Sequence, residues 1–240
     1  MSFRMTKTMV PAGLAEELTP SSWCHSRGKR GLDVVLATAC LVASLPLLLV
    51  AAVLVKATSR GPILFRHQRT GLKGKAFQLL KFRTMYHQSA GPNVTRAGDS
   101  RITPVGGFLR RTKLDELPQF LNVLKGEMSV IGPRPDAPQF WATSLESDKR
   151  VLQLLPGVTG AATLTFHDEE KVLGQVPAQE LQEFYINTLM PEKARRDLAY
   201  AATASLRRDL QILWRTFLRL IPHFSPRPLN FAERFHDLSR

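Results

Sequence analysis

The sequence is poor in cysteine and lacks the common metal and nucleotide signatures. Cys24 and Cys40 are its two cysteines, and their positions fit neither a metal-ligand pair nor a redox motif. The chain contains no HExxH, no GxxxxGK[ST] and no GxGxxG, which excludes the usual zinc-protease, P-loop and dinucleotide-binding signatures. We therefore expect the folded part of the protein to face the reducing cytosol. If it binds phosphate, it does so without any of these motifs.

Acidic residues are scarce relative to basic ones. The 240 residues include 33 Lys and Arg against 20 Asp and Glu, which gives a formal net charge of +13. This surplus indicates an anionic partner: nucleic acid, an anionic lipid surface or a phosphorylated small substrate. The charge alone does not choose among them. The length suits one sizeable folded unit and does not require two.

Charge is absent altogether between Val34 and Val55. As an α-helix rising about 1.5 Å per residue, this run matches the thickness of a hydrocarbon core, and we predict a membrane segment that stays in the mature protein. Pro46 predicts a kink or break, and Ser44 can hydrogen-bond a nearby carbonyl at the bend. Cations flank both ends, and positive charge favours the cytoplasmic side. A re-entrant hairpin and an ordinary kinked transmembrane helix both fit these observations.

Basic residues are concentrated in the segment after the apolar run. ILFRHQ, RTGLKGK and AFQLLKF predict two short strands around a glycine-containing turn. We expect most of its cations to lie in solvent or against lipid heads, and a few to bind phosphate. The cations of this unit are Arg66, Arg69, Lys73, Lys75, Lys81 and Arg83.

Two further segments have a predictable character. Residues 89–100 are rich in Gly, Pro, Asn and Asp, which predicts a surface loop. Near the C-terminus, the stretch from Leu206 to Phe224 has apolar residues at helical spacing with arginines mostly elsewhere. This pattern is typical of a basic amphipathic helix at a membrane interface, and a helix packed on the protein core fits it equally well.

The segment LDELPQFLNVLKGEMS places two carboxylates, Asp115 and Glu116, just ahead of Pro118. We predict a helix that begins here and ends near Gly126, with the carboxylates at its N-terminal end. Alone, such a pair is a common helix start worth about 1 kcal/mol. Nearby cations include Arg111 and Arg134, so we expect a phosphate site in which both carboxylates stay ionised and are able to attack phosphorus or to bind Mg²⁺.

The longer motifs resemble one family. The family is that of the bacterial sugar transferases, or monotopic phosphoglycosyl transferases, and the resemblance runs from about Lys29 to Phe217. It is carried by KRGLDVVL with the proline-broken run, GPILFRHQRTGLKGKAF, KFRTM, ITPVGGFLRRTKLDELPQFLNVLKGEMSVIGPRPD, LPGVTG and DLQILWRTF. The fold it implies is α+β and mostly helical, with a re-entrant membrane helix hairpin and a cytosolic catalytic body containing a small β-hairpin. It also implies a monotopic protein on the cytosolic face of the bacterial inner membrane.

The resemblance also implies an activity. Family members transfer a sugar 1-phosphate from a UDP-sugar to polyprenol (undecaprenyl) phosphate, release UMP and need Mg²⁺, as the first membrane step of assembling an exopolysaccharide, capsule, O-antigen or glycoprotein glycan. By resemblance, Asp115 is the nucleophile that forms an aspartyl phosphosugar, and Glu116 is its acidic partner in metal binding or proton handling. Membrane lipid and downstream glycosyltransferases are the further partners expected, and nucleic acid is not. The rival hypothesis is a non-catalytic, membrane-anchored basic protein that binds anionic lipid or nucleic acid.

The predicted site residues and domains follow from both lines of argument. The catalytic and metal-binding residues are Asp115 and Glu116, and the membrane bend is at Ser44 and Pro46. The expected contacts to phosphate or nucleotide are Arg69, Lys81, Arg83, Arg111, Arg134 and Glu169. Glu169 lies in AATLTFHDEEKVL, which departs from the family pattern and otherwise suggests an acidic helix start. The domains are a flexible extension (1–28), the membrane helix (29–59), the catalytic domain with its amphipathic helix (60–224) and a tail (225–240).

Overall fold

The computed structural model describes residues 19–87, 99–144, 146–177 and 179–220. These residues form a mostly helical protein with two small sheets, as the α+β prediction expects. The strands are β1 (Leu64–Thr70), β2 (Ala76–Phe82), β3 (Ser129–Ile131) and β4 (Gly157–Thr159). The helices are α1 (Arg27–Thr58), α2 (Pro104–Thr112), α3 (Gln119–Lys125), α4 (Pro138–Thr143), α5 (Glu146–Lys149), α6 (Ala161–Thr165), α7 (Glu169–Gly174), α8 (Leu181–Phe184), α9 (Met190–Ala202) and α10 (Leu206–Leu220).

Helix α1 contains the apolar run and continues through Pro46 as one element. Its N-cap is Ser26, whose hydroxyl accepts a hydrogen bond from the backbone N–H of Lys29 at 3.0 Å. Ser44 Oγ donates to the carbonyl of Cys40 at 2.6 Å, as expected of a serine beside a proline in lipid. The helix is long and apolar enough to cross a membrane, and no other helix of the described residues is. The predicted re-entrant membrane hairpin is not confirmed, because the helix is unbroken at Pro46.

The two ends of α1 are buried, whereas its middle is not. Lys29, Asp33 and Ala37 are buried near one end, and Ala51 and Val55 near the other. Large apolar side chains between and around them are exposed, up to 68% for Val42. The helix therefore contacts the rest of the protein at both ends and presents an apolar surface between them.

The predicted β-hairpin after the apolar run is confirmed. β1 and β2 pair antiparallel, with Leu64 opposite Phe82 and Thr70 opposite Ala76. The turn between them places Lys73 and Gly74 at φ angles of 55° and 75°, the left-handed region that glycine adopts most easily. The hairpin brings Lys81, near the end of β2, toward the segment that contains Asp115.

The second sheet holds the GPRP segment in place. β3 and β4 pair in parallel, with Ser129 opposite Gly157. Just beyond β3, a Cβ on Gly132 would lie 2.3 Å from the carbonyl oxygen of Leu155, and a Cβ on Gly157 would lie 2.1 Å from the backbone nitrogen of Gly132. Only glycine permits two backbones to approach this closely. The crossing fixes the chain immediately before Arg134.

Helix α10 packs on the protein core, as one interpretation of its sequence expects. One face packs inward, with Asp209 and Ile212 buried. The opposite face leaves large apolar side chains exposed, namely Leu206, Leu210, Trp214 and Phe217. The Trp214 and Phe217 rings are stacked at 6.0 Å between centroids. An amphipathic helix thus lies on the core and keeps a second apolar face uncovered.

The predicted segment boundaries agree with the structure only in part. α1 begins at Arg27, inside the predicted extension 1–28, and it is preceded by a 3₁₀ turn over Ser22–His25. The N-terminal part of that extension (1–18), most of the predicted loop at 89–100 and the C-terminal tail lie outside the described residues.

Candidate active site

The two carboxylates lie in a turn of their own, which corrects the predicted helix start. Leu114–Glu116 is a single 3₁₀ turn that follows Lys113 in a left-handed conformation (φ 58°). Helix α3 begins only at Gln119, with Pro118 as its N-cap residue. Proline has no N–H to donate and fits a helix start, so it separates the turn from α3. The predicted helix end is confirmed, since Gly126 caps α3 at φ 81°.

Asn122 fixes α3 against the hairpin. Its side chain is fully buried; Oδ1 accepts from the backbone N–H of Leu80 at 3.0 Å, and Nδ2 donates to the carbonyl of Gln78 at 2.8 Å. Within the described residues, these bonds occupy backbone groups of β2 that no third strand pairs with. The register they set places Lys81, the next residue of β2, beside the acidic turn.

Glu116 binds two cations. Lys81 Nζ lies 3.2 Å from Glu116 Oε1, and Arg134 donates through one guanidinium nitrogen to Oε1 at 2.6 Å and through the other to Oε2 at 3.4 Å. Burial opposes ionisation, but the charges of Arg134 and Lys81 hold the pKa of Glu116 well below its ordinary range. Glu116 is therefore ionised, and both of its oxygens are engaged.

Asp115, unlike Glu116, keeps a carboxylate oxygen that is not hydrogen-bonded within the described residues. It is 5% exposed, and its Oδ1 atom has no hydrogen-bond partner within the described part of the chain. Burial, assisted by the negative charge of Glu116, raises the pKa of Asp115 to about 6, although Lys81 and Arg110 pull in the other direction. The expectation that both carboxylates stay ionised thus holds for Asp115 only above about pH 6. A buried carboxylate with a free oxygen is poised to act on a ligand.

Of the predicted phosphate-binding arginines, Arg83 is engaged elsewhere and Arg111 is exposed. Arg83 is buried, and its guanidinium donates to the carbonyls of Ser59 (2.7 Å), Val55 (3.3 Å) and Pro62. It closes the C-terminal end of α1, where carbonyls lack helical partners, and it is not free for phosphate. Arg111 is exposed on α2, and the α2 charge that acts on Asp115 is that of Arg110.

Arg69 and Glu169 belong to a second polar cluster, whose charges also act on Arg134. Arg69 donates to His67 Nδ1 at 3.1 Å; burial and the charges of Arg69 and Lys81 lower the pKa of His67 to about 4, so its ring is neutral and able to accept. Glu169 Oε2 lies 3.3 Å from Lys193 Nζ, and its negative charge helps to raise the pKa of Arg134. Glu169 also begins α7, as the alternative interpretation expects.

Sequence reasoning missed three members of that cluster. Tyr185 donates to Asp136 Oδ1 at 2.6 Å, and Lys193 donates to the Tyr185 hydroxyl at 3.1 Å. Asp136 directly follows GPRP, and this adjacency was a usable signal. Tyr185 and Lys193 belong to no motif, and the fold alone brings them together with Asp136 and Glu169.

A magnesium ion fits this site in part. No group of three or more His, Cys, Asp and Glu side chains within the described ranges is arranged to hold a metal. Mg²⁺ is usually bound by one or two carboxylates together with substrate phosphates. Asp115, with its free oxygen, fits that role, whereas Glu116 already accepts from Lys81 and Arg134.

Comparison with known proteins agrees with this architecture. The family profile described as "Bacterial sugar transferase" matches residues 24–223. The chain is 42% identical over 198 residues to a UDP-glucose:undecaprenyl-phosphate glucose-1-phosphate transferase of Caulobacter vibrioides, covering 80% of this chain and 69% of that protein. A protein of the same name from Escherichia coli is 44% identical over 151 residues, covering 61% of this chain and 32% of that protein.

A third relative has a different sugar in its name. The UDP-N-acetylgalactosamine-undecaprenyl-phosphate N-acetylgalactosaminephosphotransferase of Aeromonas hydrophila is 45% identical over 114 residues, covering 47% of this chain and 27% of that protein. The chain therefore spans about a third or less of two of these relatives and about two thirds of the other. With most of its length matched by the family profile, the chain belongs to the bacterial sugar transferase family of enzymes.

Proposed function

We propose that the protein transfers a sugar 1-phosphate from a UDP-sugar to undecaprenyl phosphate and releases UMP. The observation that carries this proposal is Asp115, a buried carboxylate with a free oxygen next to Glu116, which is itself held by Lys81 and Arg134. The names of the relatives support both substrates. The family match disfavours the rival hypothesis of a non-catalytic basic protein.

The proposed reaction has two displacements at one phosphorus. An Asp115 oxygen attacks the phosphorus that bears the sugar, the bond to the bridging oxygen of the diphosphate breaks, and UMP leaves with that electron pair. A phosphate oxygen of undecaprenyl phosphate then attacks the same phosphorus, and the Asp115 carboxylate is the leaving group. A covalent intermediate lets one site serve a soluble donor and a lipid acceptor in turn.

The cations around Asp115 would stabilise the charge of this reaction. Lys81 and Arg134 are side chains with 19% and 29% exposure, partly shielded from water, where fixed charges act more strongly on a phosphoryl group. Glu116 holds them in place, so we assign it the role of an anchor for these cations. Mg²⁺, held by Asp115 and the diphosphate oxygens, would supply further neutralisation of charge.

We further propose a monotopic arrangement on the cytosolic face of the inner membrane. The N-terminal end of α1 bonds to α3, β3 and α10, and its C-terminal end bonds to Arg83, which follows β2. Both ends thus contact one body, which a helix crossing the bilayer would not allow without dividing that body. The exposed apolar face of α10 supports a second contact with lipid at the interface.

The donor sugar is the least constrained part of the proposal. Relatives of similar identity have glucose or N-acetylgalactosamine in their names. Glu169 lies in the stretch that departs from the family pattern and reaches Arg134 through its charge. We propose that this stretch, 161–173, contacts the sugar, and that the product enters assembly of a surface polysaccharide.

The activity is tested by UMP release. Purified protein in detergent or nanodiscs receives undecaprenyl phosphate, Mg²⁺ and a panel of UDP-sugars that includes UDP-glucose and UDP-N-acetylgalactosamine. We expect release with at least one donor and a loss of about 1,000-fold or more in Asp115→Asn, since the amide is not a nucleophile toward phosphorus. Undiminished turnover in a folded Asp115→Asn protein would contradict the assigned nucleophile.

The topology is tested separately by cysteine labelling. Arg27→Cys and Arg60→Cys flank α1 at exposed positions, in a background of Cys24→Ser and Cys40→Ala. A membrane-impermeant thiol reagent applied to intact cells should label neither site, and both should react in inverted vesicles. Labelling of either site from the periplasm would replace the monotopic arrangement with a span.

A further inference from the structure

The first turns of α1 bond directly to the segment that contains the site. Arg30 donates through its two guanidinium nitrogens to the carbonyls of Val123 at 2.6 Å and Leu124 at 3.0 Å. These carbonyls lie in the last turn of α3, where the Val123 carbonyl also accepts from the backbone N–H of Gly126 at 3.0 Å. Arg30 of α1 thus caps the C-terminal end of α3, the helix that follows the Asp115–Glu116 turn.

Asp33 makes a matching contact one turn further along α1. Its Oδ1 atom accepts from the backbone N–H of Val130 at 2.9 Å and from Ser129 Oγ at 3.0 Å, and the residue is 2% exposed. Ser129 and Val130 begin β3, whose chain passes through the tight crossing at Gly132 into Arg134. Residues three apart share a face of a helix, so Arg30 and Asp33 act on neighbouring parts of the same segment.

The segment 115–134 is consequently held at three places. Its two ends meet in the Glu116–Arg134 ion pair, and its middle, between α3 and β3, is held by Arg30 and Asp33. Simple helix packing would be served by apolar side chains at lower cost, because a buried charge must recover its lost hydration. The directional bonds of Arg30 and Asp33 instead fix where α3 ends and where β3 begins.

We propose that Arg30 and Asp33 are positioning residues, through which the membrane helix sets the Glu116–Arg134 pair relative to Asp115. The proposal rests on the proposed transferase function. It makes the membrane helix a part of the active-site scaffold in addition to an anchor. Displacing a charge-stabilising group by about 1 Å costs up to about 100-fold in rate, so the two residues need not contact substrate to affect turnover.

The first test compares substitutions that keep or remove each bond. Asp33→Asn retains an oxygen that accepts from Val130 and Ser129, whereas Asp33→Leu fills the space without an acceptor. Arg30→Ala removes both caps, and Arg27→Ala is the matched control, an exposed arginine in the same turn of helix. UMP release is normalised to folded protein by near-ultraviolet circular dichroism at the assay temperature.

We expect kcat to fall by about 10-fold to 100-fold in Asp33→Leu and Arg30→Ala. In Asp33→Asn and Arg27→Ala it should stay within about 3-fold of the parent. Equal kcat in all four folded variants would overturn the proposal, as would an equal loss in Asp33→Asn and Asp33→Leu.

The second test separates positioning from general stability. In an Arg134→Lys background, which weakens the pair that Arg30 acts through, adding Arg30→Ala should cost less than about 3-fold, because the effects of coupled residues are not additive. Losses that multiply fully would show that Arg30 acts independently of the pair and would contradict the proposal. Failure of the proposed function is recognised separately, because the parent protein itself would then release no UMP.

Discussion

Two buried aspartates, Asp115 and Asp209, differ in how completely their carboxylate oxygens are hydrogen-bonded. Asp209 is fully buried and bonded on both oxygens: Lys29 Nζ and Trp23 Nε1 each lie 2.9 Å from Oδ2, and the Tyr200 hydroxyl donates to Oδ1. Asp115 is almost as buried, yet its Oδ1 has no partner in the described part of the chain.

The difference indicates what each carboxylate is for. A buried charge that is paired and fully hydrogen-bonded serves structure, and here it ties α10 to the first turn of α1. A buried carboxylate with an open oxygen costs stability, and such a cost is retained where the group has chemistry to perform. The contrast with Asp209 therefore supports Asp115 as the reactive group.

The largest expected difference between the two aspartates is in the stability of their variants. Asp209→Ala leaves the buried Lys29 ammonium without its partner and should cost about 3–5 kcal/mol. Asp115→Asn should increase stability at neutral pH, because it removes a desolvated negative charge. Thermal unfolding in nanodiscs measures both. A protein equally destabilised by the two substitutions would remove the distinction between the two aspartates.

The second effect concerns the cations at the open carboxylate. Arg134→Ala should lower kcat by roughly 100-fold, since it removes charge stabilisation and leaves Glu116 buried with only Lys81. Arg134→Lys keeps the charge but loses the two-point contact, and we expect an intermediate loss. Steady-state UMP release measures the series, and a fully active Arg134→Ala protein would argue against a charge-stabilising role.

The third effect is a pH dependence with a definite sign. Burial raises the pKa of Asp115 to about 6 in the folded protein, above its usual 3.8, so the folded state holds this proton more tightly than the unfolded state. Ionised Asp115 therefore destabilises the fold above about pH 6, by about 3 kcal/mol, and the penalty disappears below about pH 4.

Asp115→Asn isolates that contribution. The mutant should be the more stable protein at pH 7, and the difference in free energy of unfolding should vanish on acidification to about pH 4. The rate of UMP release by the parent should fall as the pH drops through about 6, because the protonated carboxyl is a poor nucleophile. A stability difference that does not vary with pH would contradict the assigned cause.

The smallest effect tests the predicted phosphate contact of Arg111. This residue is exposed, whereas Arg110 acts on Asp115 through its charge. Arg111→Ala should change kcat by less than about 3-fold, and Arg110→Ala should reduce it more. The pair is matched in type and position, so the comparison needs only UMP release from two variants. A larger loss in Arg111→Ala would restore the original prediction.

Local patterns predicted the elements that local physics controls. The β1–β2 turn, the glycine cap at Gly126 and the amphipathic face of α10 depend on residues a few positions apart. The placement of cations was harder to predict. Side chains one residue apart differ by about 100° around a helix, which separates Arg110 from Arg111. Lys81 lies in β2, but Arg83 lies just beyond its end and turns toward α1.

Contacts across the chain could not be predicted from these patterns. Lys29 and Asp209 are 180 positions apart, and Tyr185 reaches Asp136 across 49 positions. No motif links either pair, and only the tertiary packing of the chain brings each pair together. The resemblance to the family singled out Asp115 and Glu116, which the structure places in one turn, but it could not show that Glu116 is engaged by two cations while Asp115 keeps an unpaired oxygen.

The most direct test of the open carboxylate is mass spectrometry of the protein after incubation with a donor that supports UMP release, Mg²⁺ and no acceptor. We predict a mass increase equal to one sugar phosphate, mapped by digestion to the peptide that contains Asp115, released on addition of undecaprenyl phosphate and missing in Asp115→Asn. An adduct on any other residue, or UMP release with no adduct under single-turnover conditions, would contradict Asp115 as the reactive group.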